Sequence, residues 1–379
     1  MIPILGCAIV LGEPRLALLI PDLRCGGLER LCLDLARHWL NMGFRVDLLL
    51  LRRRGELLGQ IPDGVRLIEL GAPRLRQLFI PLFRYLRNDP PDLLWVHLWP
   101  LTSIAVLPWL AAGRPCSLWL AEHTTLSLSA RHELHLPRWL VRVVLRLTYP
   151  LATGLTAVSQ GVAADLITLG APRRSLVVVP NPAAVGRSAQ PMSVQEVTRL
   201  WGSQPGVKLL CVGSLKTQKN HALLFDAVSL LPPELVFQLV ILGEGPLRQS
   251  LEQRTHQLGL QRHVRLLGYV EDPTPWYRTA DLFVLSSSWE GFGNVLVEAM
   301  ECGLPVVSTD CPSGPAEILE HGRLGPLVEA GNPAALSRAI QHALVNPVDR
   351  HALITRSKDY ACSTIAERYL QVFGVSRHE

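Results

Sequence analysis

The sequence contains no Asp-x-Asp triplet, no His-x-x-x-His pair and no Cys-x-x-Cys pair. These absences remove the common signatures of a metal site, so no essential metal or other cofactor is expected. A Gly-Lys-Ser/Thr loop is missing too, which excludes the P-loop nucleotide hydrolases. The eight cysteines, Cys7, Cys25, Cys32, Cys116, Cys211, Cys302, Cys311 and Cys362, are scattered. Thiols so placed imply a reducing compartment rather than a disulfide framework. The apolar start, residues 1–11, has no basic lead-in and runs into Glu13 and Arg15. No cleaved secretion signal is expected from it, and the chain reads as cytoplasmic.

Lysine is absent from residues 1–185, where 20 arginines face 13 acids, whereas residues 186–379 carry 17 basic residues against 19 acids. The first part is therefore strongly basic and the second slightly acidic. Arg138, Arg142 and Arg146 recur every four residues, one stripe of a helix whose other positions include Trp139, Leu140, Val143, Val144 and Leu147. Such a stripe suits an anionic membrane surface; the alternative is a solvated face over a core helix. Residues 93–112 hold His97 as their one ionisable side chain, and a run of about twenty apolar residues is long enough to span a bilayer. Pro100 and Pro108 argue against one continuous helix, so a buried strand followed by a buried helix is expected.

At 379 residues the chain exceeds one ordinary core, and short apolar runs alternate with amphipathic stretches throughout. That rhythm predicts an α/β fold of parallel sheets joined by helices. Strands are expected at 16–20, 46–51, 65–70, 93–98, 117–121, 155–158 and 176–179, with helices near 28–41, 74–87, 101–111, 137–147 and 160–169. The second set of strands is 208–212, 236–242, 264–267, 282–285 and 306–308, with helices near 221–230, 246–258, 295–302 and 334–345. The division expected is an N-terminal Rossmann-like domain over 1–185, a proline-bearing linker over 186–205, a second Rossmann-like domain over 206–360, and a C-terminal helical segment over 361–379 that packs back. Ligands of open parallel sheets sit outside the carboxyl ends of the strands, so two facing domains would hold donor and acceptor in a cleft between them.

The most informative segment is Ser286-Ser-Ser-Trp-Glu290-Gly-Phe-Gly-Asn-Val-Leu-Val-Glu298. Gly291 and Gly293 allow a close backbone approach, and a helix starting near Asn294 would aim free N–H groups and its positive dipole end at a phosphate. Phe292, Asn294 and Val295 complete that seat. Glu298 lies one turn into the helix, where a carboxylate can accept from both hydroxyls of a ribose, and Glu290 lies in the loop, placed for a sugar. Singly, either acid reads rather as a helix cap or dipole partner; together with the glycines and the strand before them, the two read as a ligand site. Gly26-Gly27 before the first helix form a similar phosphate-facing turn or a plain tight connection.

This segment, with Gly303-Leu-Pro-Val-Val307, resembles the E-x7-E block of the family 4 retaining glycosyltransferases of the GT-B fold. Residues 308–318, Ser-Thr-Asp-Cys-Pro-Ser-Gly-Pro-Ala-Glu-Ile, resemble its continuation in members that build bacterial surface polysaccharides. The likeness covers most of 205–330 and is patchier before it. It implies a hexosyltransferase in which Glu290 orients the donor sugar without attacking it, while the leaving diphosphate takes the acceptor's proton on the same face. Members commonly carry an arginine where this chain has Ser214, followed by the lysine matched by Lys219. The resemblance thus implies that Lys219 stabilises the diphosphate, with Lys216 as a substitute for the missing arginine or a solvated loop lysine. It places His123 near the donor sugar's hydroxyls, the alternative being a histidine that merely satisfies a strand end. It also implies that the loop holding Gly27 reaches the donor. Gly243 and the backbone around Tyr269 and Val270 suit the nucleotide base and ribose by their position after strands. The expected donor is a UDP-sugar ahead of GDP-mannose, and the expected acceptor a polyprenyl-linked or lipopolysaccharide-type glycan at the inner face of the membrane. No nucleic-acid partner is expected. Two other readings stay open: a nucleotide-sugar epimerase on the same fold, and an inactive sugar-binding partner subunit.

Overall fold

The computed structural model describes residues 13–24, 26–187 and 192–376. The apolar start, Cys7, Cys25, residues 188–191 and the last three residues lie outside the described residues. Contacts divide the chain into two compact units, one running to Pro182 and resuming at Cys362, the other spanning Ala183–Ala361.

The first unit is built on seven parallel strands: β1 (Arg15–Ile20), β2 (Arg45–Leu50), β3 (Arg66–Glu69), β4 (Leu93–His97), β5 (Ser117–Glu122), β6 (Gly154–Ala157) and β7 (Leu176–Val178). Their order is β3-β2-β1-β4-β5-β6-β7. The central strands are continuous apolar runs because helices cover both faces of a parallel sheet. Leu16, Leu18, Ile20, Leu93 and Trp95 are accordingly buried. The apolar stretch 93–112 resolves into β4 and the helix Leu101–Ala111, with Pro108 inside it. Among the described residues no helix is long and apolar enough to cross a membrane. The helix expected near 74–87 begins at Phe79, because residues 75–77 form a tighter 3-10 turn.

The C-terminal helix Cys362–Phe373 completes this unit's core. Its residues Ile365, Ala366, Tyr369, Leu370 and Phe373 are buried, and Trp39 Nε1 donates to the carbonyl of Ala366 at 3.3 Å. Trp95 packs against Tyr369 and Phe373 at ring-centroid distances of 4.5 and 5.3 Å. Without this helix the aromatic side chains of β4 and β5 would face water.

The second unit has six parallel strands: β8 (Val207–Val212), β9 (Phe237–Leu242), β10 (Val264–Gly268), β11 (Leu282–Leu285), β12 (Val306–Thr309) and β13 (Leu327–Val328). They lie in the order β10-β9-β8-β11-β12-β13. β13 is two residues long and carries no periodicity for a sequence reading to detect. Within 186–205, the stretch whose prolines suggest a linker, the helix Val194–Trp201 forms behind a reciprocal cap between Ser193 and Glu196. In each sheet the strand order reverses once, between β1 and β4 and between β8 and β11. The diverging connections open a crevice at such a point, where α/β sheets bind ligands.

Truncating Phe373 to Ala should lower stability by about 3–5 kcal/mol through the cavity left beside Trp95 and Trp119. Tyr369→Phe, which removes a hydroxyl bonded to the Val179 carbonyl, should cost about 1 kcal/mol. Urea titrations followed by tryptophan fluorescence measure both.

Candidate functional site

At the carboxyl ends of the second unit's strands the connecting loops are laced together by their backbones. The Gly243 amide donates to the Gly268 carbonyl at 2.7 Å, and the Leu215 amide to the Glu244 carbonyl at 3.0 Å. The Ser288 amide donates to the Gln218 carbonyl at 2.8 Å and the Glu290 amide to the Pro312 carbonyl at 3.1 Å. Gly243 has φ +148°, and a Cβ there would lie 2.0 Å from the Gly213 carbonyl oxygen. Only glycine fits that approach. Gly314, with φ +98°, is equally constrained, since its Cβ would meet the Phe292 carbonyl oxygen at 1.8 Å.

The β8 and β11 loops meet at the reversal point. Lys219 Nζ donates to Glu290 Oε1 at 2.6 Å, and Ser287 Oγ donates to the same oxygen at 2.6 Å. Glu290 is buried. A carboxylate removed from water requires compensation, and the ammonium and the hydroxyl supply it. Ser286 Oγ in turn donates to the Lys219 carbonyl at 2.9 Å, and Thr309 Oγ1 to the Ser287 carbonyl at 2.7 Å. Lysine and glutamate are thus held by backbone on either side of their contact.

Gly291, Phe292 and Gly293 are buried and lead into the helix Asn294–Glu301. Gly293 is left-handed, φ +102°, and turns the chain so that the helix starts directly after the loop. The Phe292 ring packs edge-on against Tyr360 at 5.2 Å, so this residue can meet a ligand only through its backbone. Asn294 and Val295 are half-buried at the helix start. One turn on, Glu298 Oε2 accepts from the Tyr277 hydroxyl at 2.9 Å, and its Oε1 lies 3.7 Å from Arg187. Lys216 is exposed, as is Tyr269, while Val270 is half-buried. Sequence alone gives no role to Ser287, although it lies within the 286–298 segment, and Tyr277 and Arg187 stand outside any motif.

Gly27 and His123 belong to the first unit. Gly27 opens the helix Gly27–Asn41, and Gly26 before it is extended. His123 follows β5, and its Nε2 lies 2.9 Å from Nδ1 of His97 at the end of β4. The other ring nitrogen of His97 is 3.9 Å from the Cys32 sulfur. Burial pushes His123 down to about 4 and His97 well below the usual histidine range. Both imidazoles are therefore neutral at pH 7. Beside them the Glu122 carboxyl is pushed up to about 7 by burial, although Tyr149, Thr102 and the Trp99 amide all donate to it. The buried thiols Cys211, Cys302 and Cys311 are pushed up to about 12, again by burial. They stay protonated and do not serve as nucleophiles.

Residues 203–360 match the model of the Glycosyl transferases group 1 family, and residues 26–182 match the Glycosyl transferase 4-like domain. The N-acetylgalactosamine-N,N'-diacetylbacillosaminyl-diphospho-undecaprenol 4-alpha-N-acetylgalactosaminyltransferase of Campylobacter jejuni is 37% identical over 153 residues, 40% of this chain and 41% of that protein. The lipopolysaccharide core biosynthesis mannosyltransferase LpsB of Rhizobium meliloti is 29% identical over 232 residues, 57% of this chain and 62% of that one. The matched stretch spans less than two thirds of either relative. Anabaena Alr3699/HepE, solved in complex with UDP and glucose, shares the fold with a TM-score of 0.79 at 22% identity, over 95% of this chain and 99% of that one.

The buried ionisable groups predict a pH signature. In His97, His123 and His221 the folded values lie below the unfolded value, His221 also at about 4. The unfolded chain thus binds more protons as pH falls below about 6.5, and stability is lost on acidification. Glu122 acts oppositely: its raised folded value stabilises at low pH, and that contribution is lost as pH rises through about 7. Thermal midpoints should fall between pH 6.5 and 4, and Glu122→Gln should steepen the fall.

Proposed function

We propose that this chain, which matches the Glycosyl transferases group 1 model over 203–360 and the Glycosyl transferase 4-like model over 26–182 and shares the GT-B α/β fold, moves a sugar from a nucleotide diphosphate sugar to a lipid-linked or lipopolysaccharide-type glycan. The observation that carries the reading is the Lys219–Glu290 pair at the strand-order reversal, with the helix Asn294–Glu301 starting beside it. A UDP-sugar is favoured as donor, in keeping with the UDP bound by the Anabaena protein, and GDP-mannose is second. The diphosphate takes the N–H groups at the helix start and a share of Lys219, and no metal is required. Glu290, partly released from Lys219, turns its carboxylate to the sugar hydroxyls, and Glu298 takes the ribose diol. Gly243, Tyr269 and Val270 present backbone to the base, and Lys216 supplements Lys219 from solvent.

Transfer then proceeds with retention. The bond from the anomeric carbon to the diphosphate oxygen breaks, the acceptor oxygen bonds on the same face, and its proton passes to the leaving diphosphate. Glu290→Gln should slow transfer on the order of 10²-fold with donor KM little changed, since its interaction is made with the reacting sugar. Glu298→Ala should instead raise donor KM about 10- to 100-fold, the value of hydrogen bonds to a charged acceptor. Steady-state assays with radiolabelled UDP-sugars and membrane extract measure both, and unmutated rates in both variants would overturn the assignment. An isomerised donor appearing without acceptor marks an epimerase; nucleotide binding without turnover marks a sugar-binding partner.

The acceptor class places the enzyme at a membrane surface, peripherally and on the cytoplasmic side. The helix Arg138–Thr148 supports this. Val141 and Leu145 face the core, while Trp139, Val143 and Leu147 are 66, 46 and 67% exposed along one stripe of its outer side. Arg138, Arg142 and Arg146 run beside that stripe, the first two also reaching Thr168. An apolar stripe beside a row of arginines fits an anionic bilayer. The protein should sediment with phosphatidylglycerol vesicles and not with phosphatidylcholine ones. Replacing Trp139, Val143 and Leu147 together by Ser should weaken that binding more than about tenfold.

A further inference from the structure

Glu298 and Glu301 stand three residues apart on the helix Asn294–Glu301, so they share a face. That face is occupied by the start of the second unit. Glu301 accepts from the amides of Gly186 at 2.7 Å and Val185 at 3.4 Å, and from the Arg187 guanidinium at 3.2 Å. The Arg187 side chain is only 11% exposed, and its other Nη lies 3.7 Å from Glu298 Oε1. Opposite, the buried Tyr277 gives its hydroxyl to Glu298 Oε2 at 2.9 Å.

Enclosing two carboxylates and a guanidinium costs desolvation that their mutual attraction repays only in a favourable geometry. Such a network is poor value for stability alone. Its geometry suits positioning. Tyr277 fixes one oxygen of Glu298 through one lone pair, and at 3.7 Å Arg187 is too far to take a lone pair from the other. The carboxylate so held keeps lone pairs on both oxygens for a vicinal diol.

We propose that Tyr277 and Arg187, the latter anchored by Glu301, are positioning residues that hold Glu298 as a fixed bidentate acceptor for the nucleotide's ribose. Discrimination between ribose and deoxyribose then depends on residues that never touch the nucleotide. This rests on the reading of Glu298 as the ribose contact.

Calorimetry on the full chain tests it, with UDP and GDP each titrated against its 2′,3′-dideoxy counterpart. The wild type should favour the ribonucleotide by at least about tenfold for the base it accepts. In Tyr277→Phe and in Arg187→Met that ratio should shrink towards unity, with dideoxynucleotide affinity unchanged within about twofold and Arg187→Lys restoring part of it. Tyr277→Phe, the loss of one oxygen, carries the test if Arg187→Met fails to fold. An unchanged ratio in the folded variants would overturn the proposal, and so would an equal loss for both nucleotides, the mark of a merely structural role. A wild type that binds both forms alike removes the Glu298 reading itself. A wild type that binds neither UDP nor GDP removes the proposed donor.

Discussion

The second unit is organised around one constraint: Glu290 is a carboxylate with almost no water, and the ammonium that compensates it comes from a different loop. Isolating such a charge costs several kcal/mol, so Lys219 and Ser287 must arrive within hydrogen-bond distance together. Lys219 follows β8 and Glu290 follows β11, neighbours in the sheet although 71 residues apart in sequence. The pairing of those two strands is therefore a condition of the ion pair. The backbone bonds that lace the loops, and glycines 243 and 314 where a side chain would collide with a carbonyl, follow from the same demand for close approach.

The ends of β4 and β5 in the first unit handle buried polarity differently. His97 and His123 meet at 2.9 Å with no counter-ion among the described residues, and burial resolves the encounter by keeping both rings neutral. Glu122, the residue before His123, has three donors and, among the described residues, no cation in contact, and burial pushes its carboxyl up to about 7. The ends of β8 and β11 in the second unit thus carry a charged pair, and the ends of β4 and β5 in the first carry two neutral imidazoles.

Much of this was legible in the sequence because the signals are local. The strand runs are continuous and apolar, the glycines and acids of 290–298 lie within one loop and helix, and the apolar run 93–112 declares its break at Pro100, while Pro108 is accommodated inside the helix Leu101–Ala111. What escaped is non-local or too short. Arg187 and Tyr277 reach Glu298 across 111 and 21 residues, and nothing in their sequence neighbourhoods marks them. His97 is visible in sequence as an ionisable group in an apolar run, but its partnership with His123 exists only once β4 and β5 pair. The helix Val194–Trp201 sits among prolines that suggest a linker, and its cap at Ser193 and Glu196 was the available clue.

Ser214 gains meaning from the geometry. With Lys216 in solvent and Ser214 in place of a cation, Lys219 is the lysine of the β8 loop committed to the site, and Glu290 already claims it. On the proposed reading a diphosphate must draw on a charge that is partly neutralised, so the amides at the start of the helix Asn294–Glu301 contribute more of the binding. Those amides cannot be redirected without moving Gly293, whose left-handed conformation sets the helix start. The same competition has a second consequence. On the proposed reading, whatever draws Lys219 towards phosphate loosens Glu290, so that diphosphate binding and the freedom of the sugar-facing carboxylate are coupled through a single ammonium.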